Sequence, residues 1–282
     1  MNVKKLSKAL LTAAGAFAIT GGLAAALFVH SGLYNVAATS PHSQAFYTIL
    51  QWVGVRSIER RTDDIIVPDL SRPGIIARGL DLYRANCVQC HGAPGIAADN
   101  FAYGLTPAPP PLAETARLWD ARSLYWVTRH GMKMTAMPAW EFRMPDDDIW
   151  AVVAFLRTLP DLSPADYARM AQRPVSPAKA IAPAAAKGHV GDPARGRLAL
   201  HQYACNMCHE IPGVSGPPAL VGPPLDGVAK RVYIAGVLSN TPANMRLWIQ
   251  HPQSVKPLSA MPDLGVSDEH ARDMIAYLYK LR

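Results

Sequence analysis

Two short stretches carry most of the chemistry this sequence offers: Cys87-Val88-Gln89-Cys90-His91 and Cys205-Asn206-Met207-Cys208-His209. All four cysteines of the 282-residue chain lie in them. Two thiols three residues apart at a helix end can reach both vinyl groups of one porphyrin, and the histidine that follows is then placed to bind the iron. The spacing therefore predicts covalent attachment at each copy, two heme c groups in all. A structural zinc site needs its cysteine pairs about 15–20 residues apart, whereas 114 residues lie between Cys90 and Cys205. Redox-active dithiols need a thioredoxin-like βαβ context that the sequence lacks, and free or disulfide-bonded thiols leave each following histidine unexplained.

An electron-transferring heme iron needs a second axial ligand, and a methionine thioether raises its potential. Met261-Pro262 supplies one in the second half, 52 residues after His209, since Met245 and Met274 fall within apolar helical patterns as core filler. In the first half Met137-Pro138 repeats that arrangement, with Met132, Met134, Met144 and His130 as competitors. The iron-binding histidines also need a carbonyl to receive their other ring N–H. Pro110-Pro111-Leu112 and Pro223-Pro224-Leu225 lie at similar offsets after them, and each places a carbonyl suited to that role, as a plain proline turn would too.

The elements that must hold these residues form an internal repeat. Each half has a short helical pattern leading into its cysteines (Gly74 to Asn86, Pro193 to Tyr203), a Pro-rich loop, a Met-Pro pair and a closing helix. The closing helices carry Ile149, Val152, Val153 and Leu156 after Asp146 as N-cap, and Ala271, Met274, Ile275 and Leu278 after Ser267. No alternating β pattern of any length is present, so each half is expected to be mostly α. At the other end, Lys4, Lys5 and Lys8 precede 21 uncharged residues from Ala9 to Val29, long enough at about 1.5 Å per residue to cross a roughly 30 Å hydrocarbon core. Signal-peptide apolar regions run only about 7–15 residues, so an uncleaved anchor is expected, with Val36-Ala37-Ala38 as the cleavage site of the alternative. The organisation read from this is an anchor or signal peptide over 1–40, an amphipathic connector over 41–73, heme domains over 74–163 and 191–282, and a Pro/Ala-rich linker over 164–190.

Both halves resemble class I cytochrome c domains, in which the histidine of Cys-x-x-Cys-His and the methionine of a later Met-Pro loop ligate one heme. The second half is similar to the cytochrome c domain fused to subunit II of some bacterial heme-copper oxidases, over Val221-Gly222-Pro223, Asn240-Thr241-Pro242, Trp248 to Gln253 and Ala260-Met261-Pro262. The first, with Thr135-Ala136-Met137-Pro138-Ala139-Trp140, resembles membrane-anchored periplasmic monoheme and diheme cytochromes. No copper-binding cysteine pattern precedes the hemes, so the likeness is to the oxidase subunit's heme appendage alone. The resemblance implies two tandem class I cytochrome c domains behind an N-terminal transmembrane helix. It implies Cys87, Cys90, His91 and Met137 around one heme and Cys205, Cys208, His209 and Met261 around the other, with iron held by the two histidines and two methionines. It also implies carbonyl acceptors at Pro110 and Pro223, and heme-propionate contacts at Arg231 and Trp248.

The function expected is electron transfer, not catalysis, on the periplasmic side of a bacterial inner membrane. Electrons would come from a cytochrome bc complex or a periplasmic dehydrogenase and leave towards a heme-copper terminal oxidase. A diheme peroxidase is the alternative, but needs an iron with a releasable position where a Met-Pro ligand is on offer. Composition agrees: 25 prolines and 20 glycines with only 17% charged residues suit a loop-rich chain around cofactors. The +7 net charge resides before residue 63, in the linker and thinly over the second half. No basic patch with interleaved aromatics exists, which excludes a nucleic-acid partner, and no small-molecule substrate is expected.

Overall fold

Arg78-Gly79 and Arg195-Gly196 mark the same place in each half, where a helix leading to the cysteines crosses the helix that closes the domain. The computed structural model describes residues 3–172, 189–218 and 221–282. Its elements begin with α1 (Val3–Ser31), whose Leu10–Ser31 stretch is long and apolar enough to cross a membrane and is left unburied by the described residues. That is the length and composition of an anchor and of a signal sequence alike. After it, α2 (Gln44–Glu59) is capped by Ser43, whose side chain accepts from Phe46 N. Only its last turns are covered, with Ile58 buried, while Phe46, Ile49 and Val53 stay exposed. Ile65 and Leu70 of the expected connector pack on the first core.

The first half is built from α3 (Ile75–Asn86), α4 (Val88–His91), α5 (Leu112–Leu118), α6 (Ala121–His130), α7 (Asp146–Leu156) and α8 (Pro164–Ala171). A Cβ on Gly79 would overlap the Ala151 carbonyl, so glycine is what lets α3 and α7 touch backbone to backbone. Arg78 beside it makes a two-pronged bond to Asp148 of α7, at 2.9 and 2.7 Å. Tyr125 of α6 stacks on Trp150 of α7 with ring centroids 4.0 Å apart. Asp146, expected as the cap of α7, is its first helical residue and follows Pro145. The expected linker also starts later than its composition suggests. Its first residues form α8, capped by Ser163, and Tyr167 is 1% exposed in the first core. Residues 173–188 of that linker lie outside the described residues.

The second half repeats the plan with α9 (Pro193–Gln202), α10 (Pro242–Gln250), α11 (Pro252–Val255) and α12 (Asp268–Leu278). Here Gly196 lies against the Asp273 carbonyl, and Arg195 Nε donates to the Asp273 side chain at 3.3 Å. Asp273 is fully buried and also accepts from Asp192 N and His189 Nε2, both at 2.7 Å. Ser267 caps α12 as expected, accepting from His270 N. Within this mostly helical half, Tyr233–Ile234 (β1) and Leu238–Ser239 (β2) form a two-stranded antiparallel ladder. Strands of two residues are too short to show any period in a sequence.

Among the described residues, the segment after Met137-Pro138 carries a contact between the halves. Ala139 and Phe142, just after Met137-Pro138 in the first half, are buried within the core of the second.

Candidate heme sites

Cys87 closes α3 in a right-handed turn, and α4 carries Val88 to His91, so the first motif follows its helix without a left-handed break. The second is reached differently. α9 stops at Gln202, Ala204 takes a left-handed conformation at φ 56°, and Cys205–Met207 form a tight 3-10 turn. Between the close-approach glycine and the first cysteine the second half has one residue more than the first. That extra residue is accommodated at Ala204.

All four cysteines are free of disulfides and half-buried. Burial pushes the Cys87 thiol up to about 12 and Cys205 up to about 11, with Cys90 and Cys208 adding to the respective shifts. Such thiols stay protonated near neutrality, the opposite of a redox-active or nucleophilic pair.

The histidines are oriented alike. His91 Nδ1 lies 2.9 Å from the Pro110 carbonyl oxygen and His209 Nδ1 lies 2.7 Å from that of Pro223. A carbonyl can only accept, so each Nδ1 carries the proton and each Nε2 keeps its lone pair free for a metal. Burial, only partly opposed by the Pro110 bond, holds His91 below its ordinary value and favours the neutral ring that a metal binds. This donor set, two thiols beside an oriented imidazole, suits a covalently bound heme.

The methionines separate by burial. Met144 is 1% exposed in the first core, and Met245 and Met274 are buried in the second, so all three are packing residues. Met134 is 86% exposed. Met137 and Met261 are half-buried in their loops, between those extremes, and so is Met132, which burial alone does not distinguish from Met137. His130 is engaged elsewhere: its Nδ1 is 3.4 Å from Glu141 Oε1, in a cluster where Arg129 also reaches Glu141 and Asp146. Burial alone would raise Glu141, yet bonds and charge from His130 and Arg129 bring it below its usual value.

Of the two residues implied as propionate contacts, Arg231 donates to the Pro224 and Asp226 carbonyls, just past the carbonyl that orients His209. It braces the histidine's loop, a role its sequence position did not suggest. Trp248 packs half-buried against the second core. Away from these sites, His189, Glu269 and Asp273 lie close enough to share a metal ion, but Arg195 binds Asp273 and approaches Glu269 within 3.6 Å, answering their charge.

Residues 74–156 match the family described as cytochrome C oxidase, cbb3-type, subunit III. Related to oxidase cytochrome c domains, this stretch coincides with the first repeat up to the end of α7. The chain is also similar to cytochrome c oxidase subunit 2 of Alkalihalophilus pseudofirmus, with 35% identity over 89 residues. That match covers 31% of this chain and 25% of the relative, so the chain spans about a quarter of the relative's length. A domain of this kind implies bound heme c and fits an electron-transfer protein.

Proposed function

We propose that the protein is a membrane-anchored diheme cytochrome c, a relay in a bacterial periplasmic respiratory chain. Its electrons come from a cytochrome bc complex or a periplasmic dehydrogenase and go to a terminal oxidase. The observation that carries this reading is the duplicated histidine geometry: the same Nδ1 to proline-carbonyl bond, at 2.9 and 2.7 Å, beside each cysteine pair. Cys87 and Cys90 would hold one heme and Cys205 and Cys208 the other, with His91 and Met137, and His209 and Met261, on the two irons. Bound there, each heme supplies a one-electron iron couple. The chain's own residues do the rest: Pro110 and Pro223 fix the imidazole tautomer and plane, and the thioethers of Met137 and Met261 favour the reduced iron. With α1 in the bilayer and its lysines on the cytoplasmic side, both heme domains lie in the periplasm.

The test is spectroscopic. Wild type should hold two hemes per chain through acid-acetone extraction, both low-spin, with the weak long-wavelength sulfur-to-iron band of Met-ligated ferric heme. Met137→Ala and Met261→Ala should each remove that band from one heme and lower its potential. Met132→Ala and Met134→Ala should leave both spectra intact. A high-spin heme in the wild type, with rapid peroxide turnover, would replace the carrier by a peroxidase.

A further inference from the structure

We propose that the second half positions the first heme's methionine, with Arg143, Phe142 and Tyr203 holding the Met137 loop across the contact between halves. The inference rests on Met137 being an axial ligand, as argued above.

The Met137 loop is fastened on two sides. Within its own half, Met132 N donates to the Met137 carbonyl at 3.2 Å. Thr135 Oγ1 accepts from Met137 N at 3.0 Å and donates to Met132 O at 2.8 Å. Gly131 lies so close that a Cβ there would come within 2.6 Å of Met137 O, so the end of α6 presses directly on the methionine's peptide.

Of the residues just after Met137-Pro138, Ala139 and Phe142 pack into the other half, while Trp140 packs on the first core and Glu141 pairs with Arg129 and His130. Ala139 and Phe142 are 5% and 3% exposed within the second core. The Phe142 ring tilts against His270 of α12 with centroids 5.2 Å apart. Tyr203 Oη donates to Phe142 O at 3.4 Å. Arg143 then staples the arrangement: Nη1 donates to Ala139 O at 3.0 Å, closing the loop on itself, and Nη2 donates to Gln202 O at 3.0 Å in the second half. Bonds from a charged guanidinium are stronger than neutral ones, and this one joins two segments 59 residues apart. Gln202 and Tyr203 form the shoulder that leads through Ala204 into Cys205.

The other methionine has a different support. Met261 N donates to Ser259 Oγ at 3.2 Å, and Gln253 Nε2 donates to the carbonyls of Met261 and Ser259 at 2.6 and 2.7 Å, all within the second half. An axial bond depends on how firmly the protein fixes the ligand atom. The first heme's ligation therefore depends on the domain contact, and the second's does not.

The experiment uses the full-length holoprotein carrying Arg143→Ala, Tyr203→Phe, Gln253→Ala or Met137→Ala. Three quantities are read for each heme: the long-wavelength ferric band, the midpoint potential, and the rate at which imidazole displaces the methionine. Arg143→Ala should speed displacement at the first heme about tenfold, the scale of one lost charged hydrogen bond, and lower its potential with the second heme unchanged. Tyr203→Phe, which removes the hydroxyl that meets both Phe142 O and His270 Nδ1, should act in the same direction more weakly. Gln253→Ala should affect the second heme alone. If Arg143→Ala and Tyr203→Phe lower thermal stability but leave the first heme's band, potential and exchange rate at wild-type values, the contact merely joins the halves and the proposal is wrong. If both hemes respond equally, it is also wrong. A spectrally silent Met137→Ala would instead sink the ligand assignment itself, which separates the two failures.

Discussion

The two halves use one set of parts and close them differently. In the first, Arg78 and Asp148 pair at the rim of the α3–α7 crossing, with their side chains 40% and 18% exposed. In the second, the matching Arg195 meets an Asp273 that is wholly buried and also ties down His189 and the Asp192 backbone. The first methionine loop borrows support from its neighbour, whereas the second is self-contained. The two halves thus share the crossing and the histidine geometry, while the charge network and the loop support differ.

Substituting the two carboxylates tests this contrast most severely. Asp273→Ala leaves Arg195, His189 and a backbone N–H without their buried acceptor, and should cost about 3 kcal/mol or more. Asp148→Ala breaks a partly solvated pair and should cost roughly 1 kcal/mol. Denaturant titration of the two variants checks it, and equal losses would dissolve the distinction.

Acid should act on the second half next. Among the described residues, His270 Nε2 is the buried side-chain nitrogen left without a partner, while its Nδ1 meets Tyr203 Oη at 3.0 Å. Burial, reinforced by the Arg195 charge, lowers His270 to about 4, with Asp273 and Glu141 opposing and Arg143 assisting. Unfolded, the ring titrates near its ordinary 6.5, so between those values unfolding takes up a proton. Stability is therefore lost as pH falls from 6.5 towards 4, by about 3 kcal/mol in all. Melting curves across that window should show the loss in wild type and a much flatter profile in His270→Gln.

The smallest effect concerns the shoulder before Cys205. Ala204 at φ 56° occupies a conformation that costs an L residue roughly 1 kcal/mol, partly offset by glycine's greater freedom when unfolded. Ala204→Gly should raise the melting temperature by a few degrees at most, with the heme spectrum unchanged. A drop would mean that the Ala204 side chain contributes packing that outweighs the strain.

Some of this was determined by the sequence alone, because the relevant physics is local. Two thiols and a histidine at fixed spacing, Ser267 ahead of the closing helix, an uncharged run of membrane length, and prolines at matching offsets after each histidine all act over a few residues or one loop. The repeated Arg-Gly dipeptide acquires its meaning only in the fold, since nothing in Arg78-Gly79 or Arg195-Gly196 names the carbonyl each must approach. Tertiary structure decided what depends on distant partners. It turned Pro164–Ala171 from linker composition into a helix, because Tyr167 found a place in the first core. It gave Arg231 to the carbonyls behind His209. It also sent Phe142 and Arg143 across to Tyr203 and Gln202, some sixty residues away, and contacts of that range are fixed by how whole surfaces fit, which no local spacing encodes.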